Sequence, residues 1–309
     1  MKTTVLVIIG FICFTAQAAP FLATYKTRQY FIPRTKGLHR TARTADFMDQ
    51  APKTSYLGVN TLIPGKTDIS YLVSLPENQG SCGSCWDFSL TKSLRSAFMT
   101  QGQDPGALAF NYLLNNCGNG PKQNGCGGGD FDAAGQFENN QGPWLEAQDP
   151  YQSARKCKTL APAATAISYT MLGSTHSSPT FKDLAYAVGV QSLMVSIDTA
   201  TSGDWSNYDS GIYNDCKGGP NQIDHMIDLV GYDCETSVDA FGMCVFDDQG
   251  KPINGDGYLI TENNWGESWG TKAANGHGGY MMTRMYDSKG NHCNAVATNA
   301  LIYTVPPHM

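Results

Sequence analysis

Nine cysteines follow a short apolar run at the N-terminus, and nine cannot all pair with one another. The chain has a tenth, Cys13, inside the run Val5–Phe14, which is preceded by Lys2 and followed by the pattern Ala16-Gln17-Ala18. This start has the layout of a secretory signal over residues 1–18, with an apolar core of about ten residues, too short to span a bilayer. Export implies an oxidising compartment, where structural cysteines cross-link. Among Cys82, Cys85, Cys117, Cys126, Cys157, Cys216, Cys234, Cys244 and Cys293, eight can form bridges and one thiol is left over. Four cross-links restrict the fold, and the odd thiol points to chemistry.

Charge divides the remainder. Before Asp46 there are seven Lys/Arg and no acid, whereas from Asp46 onward fourteen Lys/Arg face 27 acids, a balance of −13. Residues 19–60 therefore read as a basic leader or pro-segment, broken by Pro33 and Pro52, and residues 61–309 as the folded domain. The body's negative field opposes nucleic-acid binding. No later stretch matches the apolar start, so no membrane association is expected once the signal is removed. The expected location is extracellular, or periplasmic if the source is bacterial. The lack of any N-x-S/T sequon disfavours a glycan-sorted, lysosome-like compartment.

The folded part changes texture along its length. Cys85–Met99 reads as a buried helix through Cys85, Trp86, Phe88, Leu94, Phe98 and Met99, and Gly102 and Pro105 close it. Ser84 and Asp87 form an S-x-x-D pair that predicts a capping box at its start. Ala107–Leu114 and Phe131–Phe137 read as shorter helices around a glycine-rich loop, and Phe181–Val190 as a further helix. Strand-type runs then dominate: Leu193–Ile197, Met226–Tyr232, Tyr258–Thr261, Tyr280–Met285 and Leu301–Val305. Helices first and strands second predict an α+β chain with two lobes.

The odd thiol is sought first at Cys82 and Cys85, which form a C-x-x-C pair. Zinc would need a second pair of ligands at metal spacing, and neither another C-x-x-C nor H-x₃₋₅-H nor H-E-x-x-H occurs, so no metal or cofactor is expected. A thioredoxin-like redox pair would sit beside a βαβ pattern, whereas here a loop precedes and a helix follows. The third reading makes one cysteine structural and the other reactive. A cysteine in the first turn of a helix feels the positive end of the helix dipole, which favours thiolate. A nearby imidazole held in one tautomer by a third group completes such a nucleophile. His225 heads the apolar strand in "QIDHMIDLVGY", and Asn263 ends the next one in "TENNWGESWG". The remaining histidines, His39, His176, His277, His292 and His308, have loop-like or terminal settings.

Together these segments resemble the papain/cathepsin family of cysteine proteases. "QGSCGSCW" resembles the family's nucleophile motif, "DHMIDLVGY" its histidine motif and "NNWGESWG" its N-S-W-G-x-x-W-G segment. "GCGGG" (Gly125–Gly129) resembles its glycine-rich substrate wall, and "SGIYNDC" a stretch upstream of the histidine. The resemblance runs from Gln79 to the C-terminus. It implies a two-lobed fold, a helical lobe and a β-barrel-like lobe with the cleft between them. It also implies a monomeric endopeptidase acting on proteins or peptides, with Cys85 as nucleophile, His225 as acid and base, and Asn263 as orienting group. Gln79 and the Cys85 N–H would form the oxyanion hole, and Trp265 would shield the His–Asn bond. Gly128, Gly129, Asp130 and Phe131 would line the substrate wall, with Ile223, Asp224 and Thr298 on the facing side. The implied bridges are Cys82–Cys126, Cys117–Cys157 and Cys216–Cys293, leaving Cys234–Cys244. Further implied partners are the chain's own pro-segment and protein inhibitors.

Several features depart from that pattern. Asp87 stands where the family has Ala, and a charge two residues from a thiolate would oppose ionisation; a cap to Ser84 would turn it away. His225 and Asn263 are 38 residues apart, a long gap that contains Cys234 and Cys244. The usual D-W-R opening is absent, and the leader, with no Glu, lacks an ERFNIN-type helix. Two other function classes remain open on sequence alone: a catalytically silent binding module and a thiol–disulfide oxidoreductase using Cys82 and Cys85.

Overall fold

A computed structural model describes residues 62–152, 156–173, 178–199, 205–214, 216, 223–293 and 296–307, together with the backbone of residues 53–54. The proposed signal and most of the leader lie outside the described residues.

The helical lobe is built on α1 (Cys85–Met99). Thirteen of its fifteen residues are buried, including the polar Asp87, Ser89, Thr91, Lys92, Ser93 and Ser96. An amphipathic helix would present such residues to water; this one is enclosed because α2 (Asn111–Leu114) and the 3₁₀ helix Phe131–Phe137 flank it on one side while the sheet covers the other. Trp86, Leu90, Leu94, Leu113, Phe131 and Phe137 form this lobe's core. The expected helix over Ala107–Leu114 shortens to its last four residues, and Phe131–Phe137 is 3₁₀ rather than α.

The second lobe is a nine-stranded, mainly antiparallel sheet in the order β1-β3-β9-β4-β6-β7-β8-β5, with β2 also on β6. The strands are β1 (Lys53–Thr54), β2 (Lys66–Asp68), β3 (Ser168–Leu172), β4 (Leu193–Ile197), β5 (Ile212–Tyr213), β6 (His225–Asp233), β7 (Tyr258–Glu262), β8 (Tyr280–Thr283) and β9 (Ala300–Thr304). β4 and β7 are buried along their whole length and β6 at eight of nine residues; α1 packs on β4 and β6, and α3 (Phe181–Val188) packs on β6. Burial on both faces explains why these strands read as nearly continuous apolar runs. α3 starts at a complete capping box between Thr180 and Asp183. The strands β1, β2, β3 and β5 have no legible sequence signal.

β6 and β7 pair antiparallel from Asp228–Glu262 to Asp233–Tyr258, with a bulge between Leu229 and Gly231. Gly231 cannot carry a side chain, since a Cβ would lie 2.4 Å from the Thr67 carbonyl oxygen of β2. The long stretch between His225 and Asn263 is thus two strands and an inserted loop, closed by Cys234–Cys244. Antiparallel pairing brings the head of β6 and the end of β7 back to the same end of the sheet.

Candidate active site

Cys85 is the first residue of α1, fully buried, and the only described cysteine outside a disulfide. The bridges are Cys82–Cys126, Cys117–Cys157, Cys216–Cys293 and Cys234–Cys244. Cys82 is therefore structural, and no C-x-x-C dithiol remains for redox exchange. Its bridge, with a hydrogen bond from the Gly83 N–H to the Cys126 carbonyl (3.0 Å), fastens the nucleophile loop to the glycine run. In that run Gly128 has φ 109°, and a Cβ on Gly129 would sit 2.4 Å from the Trp86 ring. Glycine is required at both positions, for different reasons.

The helix start differs from the expected capping box. Ser84 makes no side-chain cap; its hydroxyl pairs instead with the Tyr151 hydroxyl at 2.8 Å, which also donates to the Gln79 carbonyl at 3.0 Å. Asp87 turns along the helix and accepts from the Thr91 hydroxyl at 3.3 Å. Burial pushes the Asp87 carboxyl far above its ordinary range, and Glu146 and Glu77 add to the rise while Thr91 opposes it. The upward shift disfavours a charge at this position, and it is this, not a cap to Ser84, that eases the expected conflict with a thiolate.

His225 is fully buried, and its Nε2 lies 2.8 Å from Asn263 Oδ1. The same oxygen accepts from the Asn264 N–H at 2.8 Å. An oxygen holding two donors fixes the tautomer: the imidazole proton is on Nε2, and Nδ1 is the basic nitrogen. Trp205 stands edge-on to the imidazole at 5.5 Å, and Trp265 is tilted against it at 5.2 Å. Trp269 closes the cluster, packing on both other tryptophans. Apolar walls strengthen the His–Asn bond by excluding water. Trp205 has no signal in the sequence, because a lone tryptophan in a polar stretch carries no pattern.

Gln79 is 1% exposed, and its Nε2 donates to the Cys82 carbonyl at 2.8 Å. Asp130 Oδ1 accepts from the Phe131 N–H at 2.7 Å and so starts the 3₁₀ helix; Phe131 itself packs into the helical core. Asp224 accepts from the N–H and hydroxyl of Thr199 at 2.8 and 2.9 Å. Ile223 packs in the same core as Cys85, and Thr298 is 9% exposed.

Residues 64–304 match the family described as papain family cysteine protease, 241 residues of the 309. The chain belongs to the papain family. It is 27% identical to a cathepsin L-like proteinase of Fasciola hepatica over 87% of this chain and 73% of that protein. It is 31% identical to cysteine proteinase 5 of Dictyostelium discoideum over 72% of this chain and 61% of that protein, and so spans less than two thirds of that relative's length. Among solved structures, bromelain of Ananas comosus in complex with the E64 inhibitor superposes with a TM-score of 0.57 at 26% identity, covering 79% of this chain and all of that one. Procathepsin L2 of Tenebrio molitor shares the papain fold with a TM-score of 0.66 at 23% identity, over 88% and 78% of the two chains. The papain-family α+β fold is thus established from both directions.

Proposed function

We propose that this papain-family chain is a secreted endopeptidase whose nucleophile is Cys85. His225 Nδ1 takes the thiol proton, and the thiolate sulfur attacks the scissile carbonyl. The tetrahedral oxyanion is met by the Cys85 N–H and by the second N–H of the Gln79 carboxamide. Collapse breaks the C–N bond, and the imidazolium returns its proton to the leaving amine. Water, deprotonated by the same nitrogen, then hydrolyses the thioester and restores the thiol. Asn263 accepts from Nε2 throughout and keeps the ring in register. The observation that supports this reading is the buried 2.8 Å His225–Asn263 contact, enclosed by tryptophans, in a chain whose one described cysteine outside a bridge begins α1.

The substrate wall is assigned to Gly128, Gly129, Asp130 and Phe131, and the facing side to Ile223, Asp224 and Thr298. The protein acts as a monomer on extracellular proteins or peptides, and residues 19–60 form its pro-segment. Fluorogenic peptide hydrolysis tests the assignment. Cys85→Ala and His225→Ala are expected to abolish turnover, Asn263→Ala to retain a fraction, and an E64-type epoxide to modify Cys85 alone. Normal turnover by Cys85→Ala protein would sink the proposal.

A further inference from the structure

Asn264 is bonded to all four segments that carry the proposed catalytic groups. Its N–H donates to Asn263 Oδ1 at 2.8 Å, and its carbonyl accepts from the Gln79 N–H at 2.9 Å. Its side-chain Nδ2 donates to the carbonyl of Met226, next to His225, at 3.0 Å. The same nitrogen lies 3.3 Å from the Cys85 carbonyl and 3.3 Å from Ser89 Oγ. Asn264 is 0% exposed. Two of its three side-chain neighbours are main-chain carbonyls, which only accept, so the amide nitrogen must face them and the flipped orientation is excluded. Its Oδ1 has no partner among the described residues. A carboxamide that leaves its own oxygen unpaired in the interior carries a cost, and its donor end is what it contributes in return.

We propose that Asn264 is a positioning residue, whose carboxamide clamps the first turn of α1 to the head of β6 and so sets the approach of Cys85 to His225. This inference rests on the reading of Cys85 as nucleophile. α1 and β6 belong to different lobes and lie far apart along the chain, so the relative placement of thiol and imidazole depends on contacts across the lobe boundary. Asn264 makes such a contact within one residue of the orienting Asn263. The family motif has Ser at this position, and a serine hydroxyl has one donor and a shorter reach. It cannot serve the Cys85 and Met226 carbonyls together. Ser89, one turn into α1, completes the clamp from the helix side.

The test uses Asn264→Ser and Asn264→Asp, the second of which keeps the shape but replaces the donor with an acceptor facing two carbonyls. Active sites are counted with an E64-type epoxide, so that turnover is expressed per competent site. Misplacing reacting groups by about 1 Å costs on the order of 10²-fold, and the variants are expected to lose roughly 10- to 100-fold in kcat, with KM nearly unchanged. The pH profile of Cys85 alkylation by iodoacetamide should shift as well, because the thiol no longer meets the imidazole at its wild-type distance. If Asn264→Ser keeps wild-type kcat per titrated site and an unshifted alkylation profile, Asn264 only holds the fold together, and the proposal is overturned even when thermal stability has dropped. If the wild-type protein itself shows no selective alkylation of Cys85, the nucleophile assignment fails first and takes this one with it.

Discussion

Lys92 and Glu262 form a fully enclosed ion pair, with Nζ 2.6 Å from Oε1. Lys92 lies two turns along α1 from Cys85, and Glu262 immediately precedes Asn263, so the pair joins the two lobes directly behind the candidate site. Burial acts to lower the Lys92 pKa, but the carboxylates of Glu262, Glu77 and Asp228 outweigh it and raise it. The lysine is charged.

Removing one member strands the other in the interior. Lys92→Met is expected to destabilise the protein by about 3–5 kcal/mol, whereas pairing it with Glu262→Leu should recover much of that loss. Urea unfolding of both single variants and the double variant measures the coupling. A double variant as unstable as the sum of the singles would count against a direct pair.

Stability should fall as pH rises. Burial raises the Glu77 pKa to about 7 and that of Glu146 to about 8, and it drives Asp87 well above its ordinary range. Each group is protonated more readily in the folded than in the unfolded chain. For the two glutamates the contribution is complete below the unfolded value near pH 4.5 and is lost between there and about pH 8. A pKa that is higher by one in the folded chain than in the unfolded chain is worth about 1.4 kcal/mol, so the slope should be easy to see. Thermal melts of Cys85→Ser protein from pH 4.5 to 8.5 are expected to show a declining midpoint, and Glu146→Gln should flatten the decline. A midpoint that rises across this range contradicts the assignment.

Asp130 is expected to have two separable roles. Its Oδ1 caps the Phe131 N–H, and Asp130→Ala should cost about 1 kcal/mol of stability for the lost cap. Asp130→Asn keeps a capping oxygen and removes the charge. If the carboxylate faces the substrate wall, this variant lowers the preference for Lys or Arg over Leu at P2 by several-fold, about 1 kcal/mol for a partly exposed pair. An unchanged cleavage profile assigns Asp130 to the cap alone.

The basic leader before an acidic body is expected to act as a removable inhibitory or solubilising pro-segment, an inhibitory one lying extended in the cleft. Its one described part, β1, pairs in parallel with β3 through Lys53–Met171 and Thr54–Leu172, and in the strand order β9 and β4 separate β3 from β6. Because this pairing lies at the sheet edge away from β6, the inhibition expected of residues 19–60 rests on the basic charge. Protein starting at Ala19 is expected to be less active than protein starting near Thr61, with the difference shrinking at high salt, where charges are screened over less than about 10 Å. Equal activity at low salt would reduce the leader to an inert arm.

The sequence by itself left one thiol over and outlined the helix that begins at Cys85 and the strands at His225 and Asn263. Those signals are local: a parity of cysteines, an apolar run ended by Gly102, and strands buried on both faces. The distinctive segments around Cys85, His225 and Asn263 added the family resemblance, and with it the choice of Cys85 over Cys82. Tertiary structure alone decided the rest. Asp87 reads as a cap to Ser84, and Lys92 carries no signal, since charged side chains are seldom buried. They are interior because two lobes close around α1, and no periodicity within the helix reports what will cover it. Asn264 reads as half of an Asn-Asn turn until β7 and α1 come together across 179 residues of chain. His225 and Asn263, 38 residues apart, meet because β6 and β7 run antiparallel, which returns the end of one strand to the head of the other. A side chain's type is written in the chain. Whether it is charged, paired or aimed depends on what packs against it, and here those neighbours come from distant parts of the sequence.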